Sequence, residues 1–188
     1  MSTRQRRWVL SGGIGSGKSE VGRILHNLGV HTVDADEVGH RVLEGPALAP
    51  VAERWPDVIK DGTVDRATLA RIVFSDLAEL RELESITHPL IFGRIGAELE
   101  SIEEVAVVEA PLLKAFPDWP RIIVDVPDEL RLRRTAARGM DPADISRRAT
   151  SQPTRGEWLA AADLIVPNGG SLGDLKECIR KVVTHIRD

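Results

Sequence analysis

Lys18 and Ser19 stand near the end of the decapeptide SGGIGSGKSE, Ser11 to Glu20, in which four glycines follow directly on the apolar run Trp8-Val9-Leu10. The spacing Gly12-x-x-x-x-Gly17-Lys18-Ser19 satisfies every constrained position of the phosphate-binding loop pattern G-x-x-x-x-G-K-[ST]. Glycines accept positive φ and carry no Cβ, so successive backbone N–H groups can turn inward as a concave nest around phosphate oxygens. Gly13, Ile14, Gly15, Ser16 and Gly17 would form that nest. Lys18 would bring an ammonium to the β and γ phosphates, and the Ser19 hydroxyl is placed to ligate Mg²⁺. From Lys18 the apolar residues Val21, Ile24, Leu25 and Leu28 recur at helix spacing, which predicts a helix whose amino terminus faces the anion and which ends at Gly29. The chemistry implied is binding of a nucleoside triphosphate.

Other reactive groups fall at predicted strand ends. Asp34-Ala35-Asp36 closes the run His31-Thr32-Val33, and alternation along an extended segment would send both carboxylates to one side. A carboxylate there could take the proton of an attacking hydroxyl; the alternative makes Asp36 a helix cap for EVGHRVLE and Asp34 a solvated neighbour. Glu109 closes the run VAVVEA, where an acid can hold water on Mg²⁺ or serve as a cap. Arg131, Arg133, Arg134 and Arg138 stand on a helix predicted from near Asp128. Arg131, Arg134 and Arg138 share a face of it, either clamping phosphoryl oxygens or simply solvated. Arg147 and Arg148 beyond GMDPADIS admit both readings. His88, before Pro89, would orient an acceptor or cap a buried turn.

The elements that must position these groups alternate. Short β-branched runs at Trp8-Val9-Leu10, His31-Thr32-Val33, VAVVEA, RIIVDV and LIV near Leu164 are separated by helical patterns, predicting a parallel sheet with helices on both faces. Ligands of such sheets bind at the carboxyl ends of the strands. Between the second and third strands lies a long helical insertion, Glu44 to Ser101, with Ser75-Asp76 as a helix cap; its place beside a strand end makes it the expected cover for a second substrate. Leu69, Ile72, Val73 and Phe74, with the polar residues Arg66 and His88, are the expected acceptor-facing set, although most of the apolar ones should be packing. The last helix presents Leu175, Cys178, Ile179, Val182, Val183 and Ile186 on one face, a core pattern.

At 188 residues the chain suits one domain with an insertion. A net charge of -4 argues against a broad nucleic-acid surface. Cys178 is the single cysteine, which excludes an internal disulfide and a cysteine zinc cluster. No apolar stretch reaches membrane-span length, and the run after the basic start MSTRQRR is too short for a signal peptide, so a cytoplasmic location is expected.

SGGIGSGKS followed by GVHTVDAD resembles the dephospho-coenzyme A kinase family. Further matches follow in family order: His88-Pro89 in SITHPLI, Pro111-Leu112-Leu113, Gln152, and AADLIVPNGG with Ala162-Asp163 and Asn168. The resemblance implies an α/β phosphate-loop kinase with a five-stranded parallel sheet flanked by helices, residues 1–43 and 102–188. It also implies a helical acceptor-binding insertion over 44–101 and a lid over about 138–152. It implies ATP with Mg²⁺ as donor and dephospho-CoA as acceptor, phosphorylated on its ribose 3′-hydroxyl in the last step of coenzyme A synthesis. Asp36 matches the proposed base, Arg134 the arginine on the transferred phosphate, and Arg138 the start of the lid. Asp34, Arg66 and His88 are the expected acceptor contacts, with Ser19 and, through water, Glu109 on the metal. No nucleic-acid or membrane partner is expected, and the chain should be a monomer or small homo-oligomer. The chain departs from the family pattern at Glu20, at Lys114 in KAFPDW, at Trp158 where an arginine is expected, and at Leu164. These bear on adenine contacts and acceptor fit rather than on Lys18, Ser19, Asp36 or Arg134. Two other readings stand beside it: another small-molecule kinase, such as a shikimate or nucleotide kinase, and a non-catalytic nucleotide-binding regulator.

Overall fold

The computed structural model describes residues 6–113, 115–137, 139 and 152–188, which form two compact units: the described residues up to 33 and from 102 onward, and 34–101. In the first unit all five apolar runs become strands: β1 (Arg7–Ser11), β2 (His31–Asp34) and, beyond the second unit's two short strands, β5 (Ala106–Glu109), β6 (Arg121–Asp125) and β7 (Leu164–Pro167). The order across the sheet is β2-β5-β1-β6-β7. Strand β1 pairs in parallel with β5 (Leu10 opposite Glu109) and with β6 (Leu10 opposite Ile122), and β6 pairs in parallel with β7.

Helix α1 (Lys18–Asn27) follows β1, and its end is set by one residue. Gly29 has φ 76°, its N–H donates to His26 O at 2.9 Å, and Val30 N–H donates to Leu25 O at 3.1 Å. These paired bonds past a left-handed glycine are a Schellman cap, as the sequence position of Gly29 predicts. The C-terminal helix, Leu172–Arg187, lays Leu175, Ile179, Val182, Val183 and Ile186 on a core shared with Leu10, Val21, Leu25 and Ile122, with Cys178 packed at its edge. Each such buried aliphatic side chain contributes about 1.5–3 kcal/mol. Burial of this sheet is what makes the strand ends rigid platforms for the loops.

The second unit holds α2 (Ala35–Leu43), α3 (Leu48–Arg54), α4 (Arg66–Val73) and α5 (Leu77–Glu100). Its start at Asp34 differs from the expected boundary at Glu44, because α2 packs on α5: a Cβ at Gly39 would lie 3.4 Å from Ile91 Cδ1. Asp76 caps α5 as expected, accepting from Ala78 N–H at 2.8 Å. Two features differ from an all-helical insertion with a turn at His88-Pro89. A hairpin of β3 (Ile59–Lys60) and β4 (Thr63–Val64) closes through Asp61 and Gly62, at φ 50° and 76°. Asp-Gly at positive φ is the signature of the tight primed hairpin turn, so a local signal was present. Helix α5 also runs 24 residues straight through Pro89. A proline inside a helix forfeits one backbone bond, which costs about 3 kcal/mol in isolation. Packing of α2, α3 and α4 along α5 outweighs that local cost. Leu69 and Val73 are buried packing residues, whereas Phe74 is 73% exposed.

No helix among the described residues is long and apolar enough to cross a membrane.

Candidate active site

The loop leaves β1 at the fully buried Ser11 and enters α1 at Lys18. Three glycines in it, Gly12, Gly15 and Gly17, cannot be replaced without displacement. At Gly15, φ 76°, a Cβ would stand 2.7 Å from Thr135 Cγ2 and 2.9 Å from Arg131 O, because helix α6 (Asp128–Ala137) lies against the loop. At Gly17, φ 93°, it would overlap the Nδ2 of Asn168. Gly17→Ala is therefore expected to carry about 1–3 kcal/mol of backbone strain and to evict Asn168, with at least about a tenfold loss of ATP affinity. Isothermal titration with ATP checks this; affinity equal to that of the unaltered protein would mean that the loop does not need this geometry.

Gly17 is the N-cap of α1 and offers no side chain to it, while Asp34, Asp65, Asp76, Thr154 and Ser171 cap other helices through their side chains. The first amides of α1, with the positive end of its dipole, are thus presented to an anion. Lys18 folds across the loop, its Nζ donating to Gly12 O at 2.9 Å. Ser19 Oγ donates to Glu109 Oε1 at 3.1 Å, and the second oxygen of Glu109 sits over α1, where a Cβ at Gly22 would approach it to 3.0 Å. Hydroxyl and carboxylate oxygens make a hard donor pair. No group of three or more His, Cys, Asp or Glu side chains that could hold a metal occurs among the described residues. That donor set suits Mg²⁺, which keeps waters and phosphate oxygens as its remaining ligands. Ser19 and Glu109 are the residues that would hold it.

Three side chains distant in sequence fix the loop from outside. Asn168, just past β7, donates from Nδ2 to Ser16 O at 2.8 Å and is itself buried. Gln152 Oε1 accepts the N–H of Ile14 at 2.8 Å. Arg131, held by Asp128 at 3.0 Å, reaches Ile14 O at 3.5 Å. Arg134, one turn further on α6, is half-buried and makes no hydrogen bond among the described residues. Of the basic face predicted on this helix, Arg131 is the member that meets the loop. Arg138, Arg147 and Arg148 lie outside the described residues, as does the expected lid except for 139 and 152, and so does Lys114.

Beside the loop is a cavity of about 20 Å³ bordered by Gly13, Ser16, Asp125, Arg131, Arg155 and Trp158. Arg155 opens helix α7 (Arg155–Ala160) and grips Asp125 with two bonds of 2.7 Å. The hydrogen bond from that guanidinium holds the Asp125 carboxyl below its usual range, against a smaller opposing effect of burial. Trp158, which stands where an arginine was expected, is buried. The arginine of α7 is thus Arg155, one turn earlier. Nothing local in the sequence marks the Asp125–Arg155 pair, whereas Asn168 sits where the strand-end rule directs a search.

The expected acceptor residues fall in the helical unit. Asp34, not Asp36, is the cap of α2: its Oδ1 accepts from Asp36 N–H at 2.8 Å and Glu37 N–H at 3.3 Å. Asp36 lies in the first turn of that helix and is exposed, so 34–36 is not extended and strand alternation does not set its two carboxylates on one side. Arg66 is exposed at the start of α4, after the cap Asp65. His88 is half-buried in the middle of α5 with its ring 5.4 Å from that of Phe92, so it caps no turn.

A parallel sheet whose central strand feeds a lysine-bearing phosphate loop, with an acid at the end of the adjoining strand, places the molecule among the phosphate-loop kinases. A family model described as dephospho-CoA kinase matches residues 8–174. Dephospho-CoA kinase of Leifsonia xyli subsp. xyli is 38% identical over 177 residues, covering 87% of this chain and 89% of its own. Among solved structures, TT1252 from Thermus thermophilus superposes with a TM-score of 0.84 at 29% identity, covering 97% of this chain and 98% of its own. Dephospho-CoA kinase from Campylobacter jejuni superposes with a TM-score of 0.73 at 27% identity, covering 97% of each chain. The chain belongs to the dephospho-CoA kinase family.

Proposed function

We propose that the chain transfers the γ-phosphoryl group of Mg·ATP to the ribose 3′-hydroxyl of dephospho-CoA, giving CoA and ADP. The observation that carries the donor half is the Ser19–Glu109 contact at 3.1 Å beside an α1 amino terminus that no side chain caps. Family membership supports the acceptor half and favours it over shikimate or nucleotide acceptors and over a non-catalytic regulator.

In this reading the loop amides and Lys18 hold the β and γ phosphates, and Ser19, with Glu109 through water, would hold Mg²⁺. The ion, when bound, neutralises charge shared by the β and γ oxygens. The bond between the γ phosphorus and the β,γ-bridging oxygen breaks, the bond to the acceptor 3′-oxygen forms, and the hydroxyl proton passes to Asp36. Arg134 balances charge spreading over the equatorial oxygens. Asp34, by capping α2, holds Asp36 in place, and His88 and Arg66 contribute to the acceptor surface. These assignments rest on residue type, position and family pattern. A cytoplasmic setting is part of the same proposal.

The test is ADP release across an acceptor panel of dephospho-CoA, shikimate, gluconate and nucleoside monophosphates, each with Mg·ATP. Turnover is expected with dephospho-CoA and only background with the others. Turnover on shikimate or a nucleoside monophosphate matching or exceeding that on dephospho-CoA would replace the acceptor while leaving the kinase class in place.

A further inference from the structure

We propose that Gln152 is a positioning residue that sets the phosphate loop in its binding shape by holding the Gly13–Ile14 peptide outward. This rests on the reading that the loop binds the phosphates of ATP.

In a trans peptide the C=O of one residue and the N–H of the next point in opposite directions. Lys18 Nζ takes the Gly12 carbonyl at 2.9 Å, so the Gly13 N–H faces the other way. Asn168 takes the Ser16 carbonyl at 2.8 Å, which turns the Gly17 N–H away from Asn168. Arg131 draws the Ile14 carbonyl toward α6 at 3.5 Å, and the Gly15 N–H is directed oppositely. The Gly13–Ile14 peptide runs contrary to the Ile14–Gly15 and Ser16–Gly17 peptides. Its carbonyl accepts the Ser16 N–H inside the turn at 3.1 Å, and its N–H is the one given to Gln152 at 2.8 Å. Among the described residues the amides of Gly15 and Gly17 make no hydrogen bond. The loop thus divides its amides: those of Gly15 and Gly17 remain for phosphate oxygens, whereas that of Ile14 is committed to Gln152. Ile14, expected from the motif to bind ATP directly, acts instead through the shape of its neighbours.

A glutamine suits this post because its carbonyl accepts without bringing charge. A carboxylate in the same place would accept equally well but would set a negative charge against a triphosphate site. Without any acceptor, the Gly13–Ile14 peptide loses the bond that keeps its N–H outward, and rotation of that peptide moves the amide of Gly15 with it.

The experiment compares the unaltered protein, Gln152→Met and Gln152→Glu for binding of ATP, ADP, inorganic tripolyphosphate and adenosine, with steady-state kinetics alongside. Gln152→Met should weaken ATP, ADP and tripolyphosphate by a common factor of about three to ten, the scale of one lost neutral hydrogen bond. Adenosine binding and the thermal midpoint of the ligand-free protein should hold. The KM for ATP should rise by the same factor, with kcat and the acceptor KM nearly unchanged. Gln152→Glu keeps the acceptor, so its loss should grow with ligand charge, largest for tripolyphosphate over ADP, and shrink with added salt, while the methionine variant's loss is insensitive to salt. Unchanged tripolyphosphate affinity in Gln152→Met overturns the proposal. A parallel loss of adenosine affinity also overturns it, by placing Gln152 on the base, and so does an equal loss for all ligands with a lowered thermal midpoint, which marks a purely structural role. Failure of the unaltered protein to bind tripolyphosphate in competition with ATP is a different result, which removes the loop reading itself.

Discussion

Replacing Lys18 by alanine is expected to lower turnover by about a thousandfold, the largest effect of any single change in the donor site. Loss of one preorganised group facing developing charge costs about a hundred- to a thousandfold in typical sites, and an ammonium on a transferring phosphoryl group lies at the upper end. The bond from Lys18 Nζ to Gly12 O shows the side chain already laid over the loop, so little reorganisation precedes phosphate contact. The glycine nest and the α1 terminus survive the substitution, and ATP binding should weaken rather than vanish. Lys18→Arg should rescue poorly, since a planar fork does not replace a compact charge in a narrow loop. Steady-state kinetics at saturating dephospho-CoA, with ATP titrated by calorimetry, checks both statements. Turnover near that of the unaltered protein would remove the phosphate-loop assignment.

Asp36→Asn is expected to lower turnover by about a hundredfold or more while leaving ATP affinity unchanged, the contribution typical of a positioned general base. The structure makes this a clean substitution. Asp36 is not the cap of α2, its side chain is exposed, and asparagine is tolerated in a first helical turn, so loss of the fold is not expected to confuse the result. Asp34→Asn is the control: asparagine caps about as well as aspartate, so α2 should persist and the effect should be mild. Single-turnover measurements with both substrates bound separate chemistry from binding. A collapse of ATP affinity in Asp36→Asn with normal turnover per bound complex would make Asp36 a metal-linked or structural residue.

Family membership turns the long insertion into a question about specificity. The helical unit buries Leu69 and Val73 for its own packing, exposes Phe74 and Arg66 and leaves His88 half-buried. A ligand carrying a long flexible arm needs such mixed surface. Its acceptor preference is read directly by the panel assay rather than by any one side chain.

Local physics was enough to find the donor loop. Glycine spacing, the lysine and serine at its end, the helical period from Val21 to Leu28 and the stop at Gly29 are all short-range facts, each governed by φ or by a period within a few residues. The five strands were legible for the same reason, since buried parallel strands are runs of apolar, β-branched residues wherever they sit in the chain. Where local signals competed, the sequence misled. Pro89 favours a break that the packing of α5 overrides, Asp61-Gly62 closes a hairpin inside a stretch whose pattern is otherwise helical, and Asp34-Ala35-Asp36 continues an extended run in sequence although the helix begins at Ala35. What only the tertiary structure decided is which distant residues meet. Strand order set β5 beside β1 and so brought Glu109 to Ser19. The same folding carried Gln152 to Ile14, Asn168 to Ser16 and Arg155 to Asp125, and chose Arg131 rather than Arg134 to touch the loop. Such pairings depend on how strands are ordered and how helices cross them. No period, spacing or propensity along one segment carries that information, because the free energy that fixes it comes from burying surfaces contributed by several segments at once.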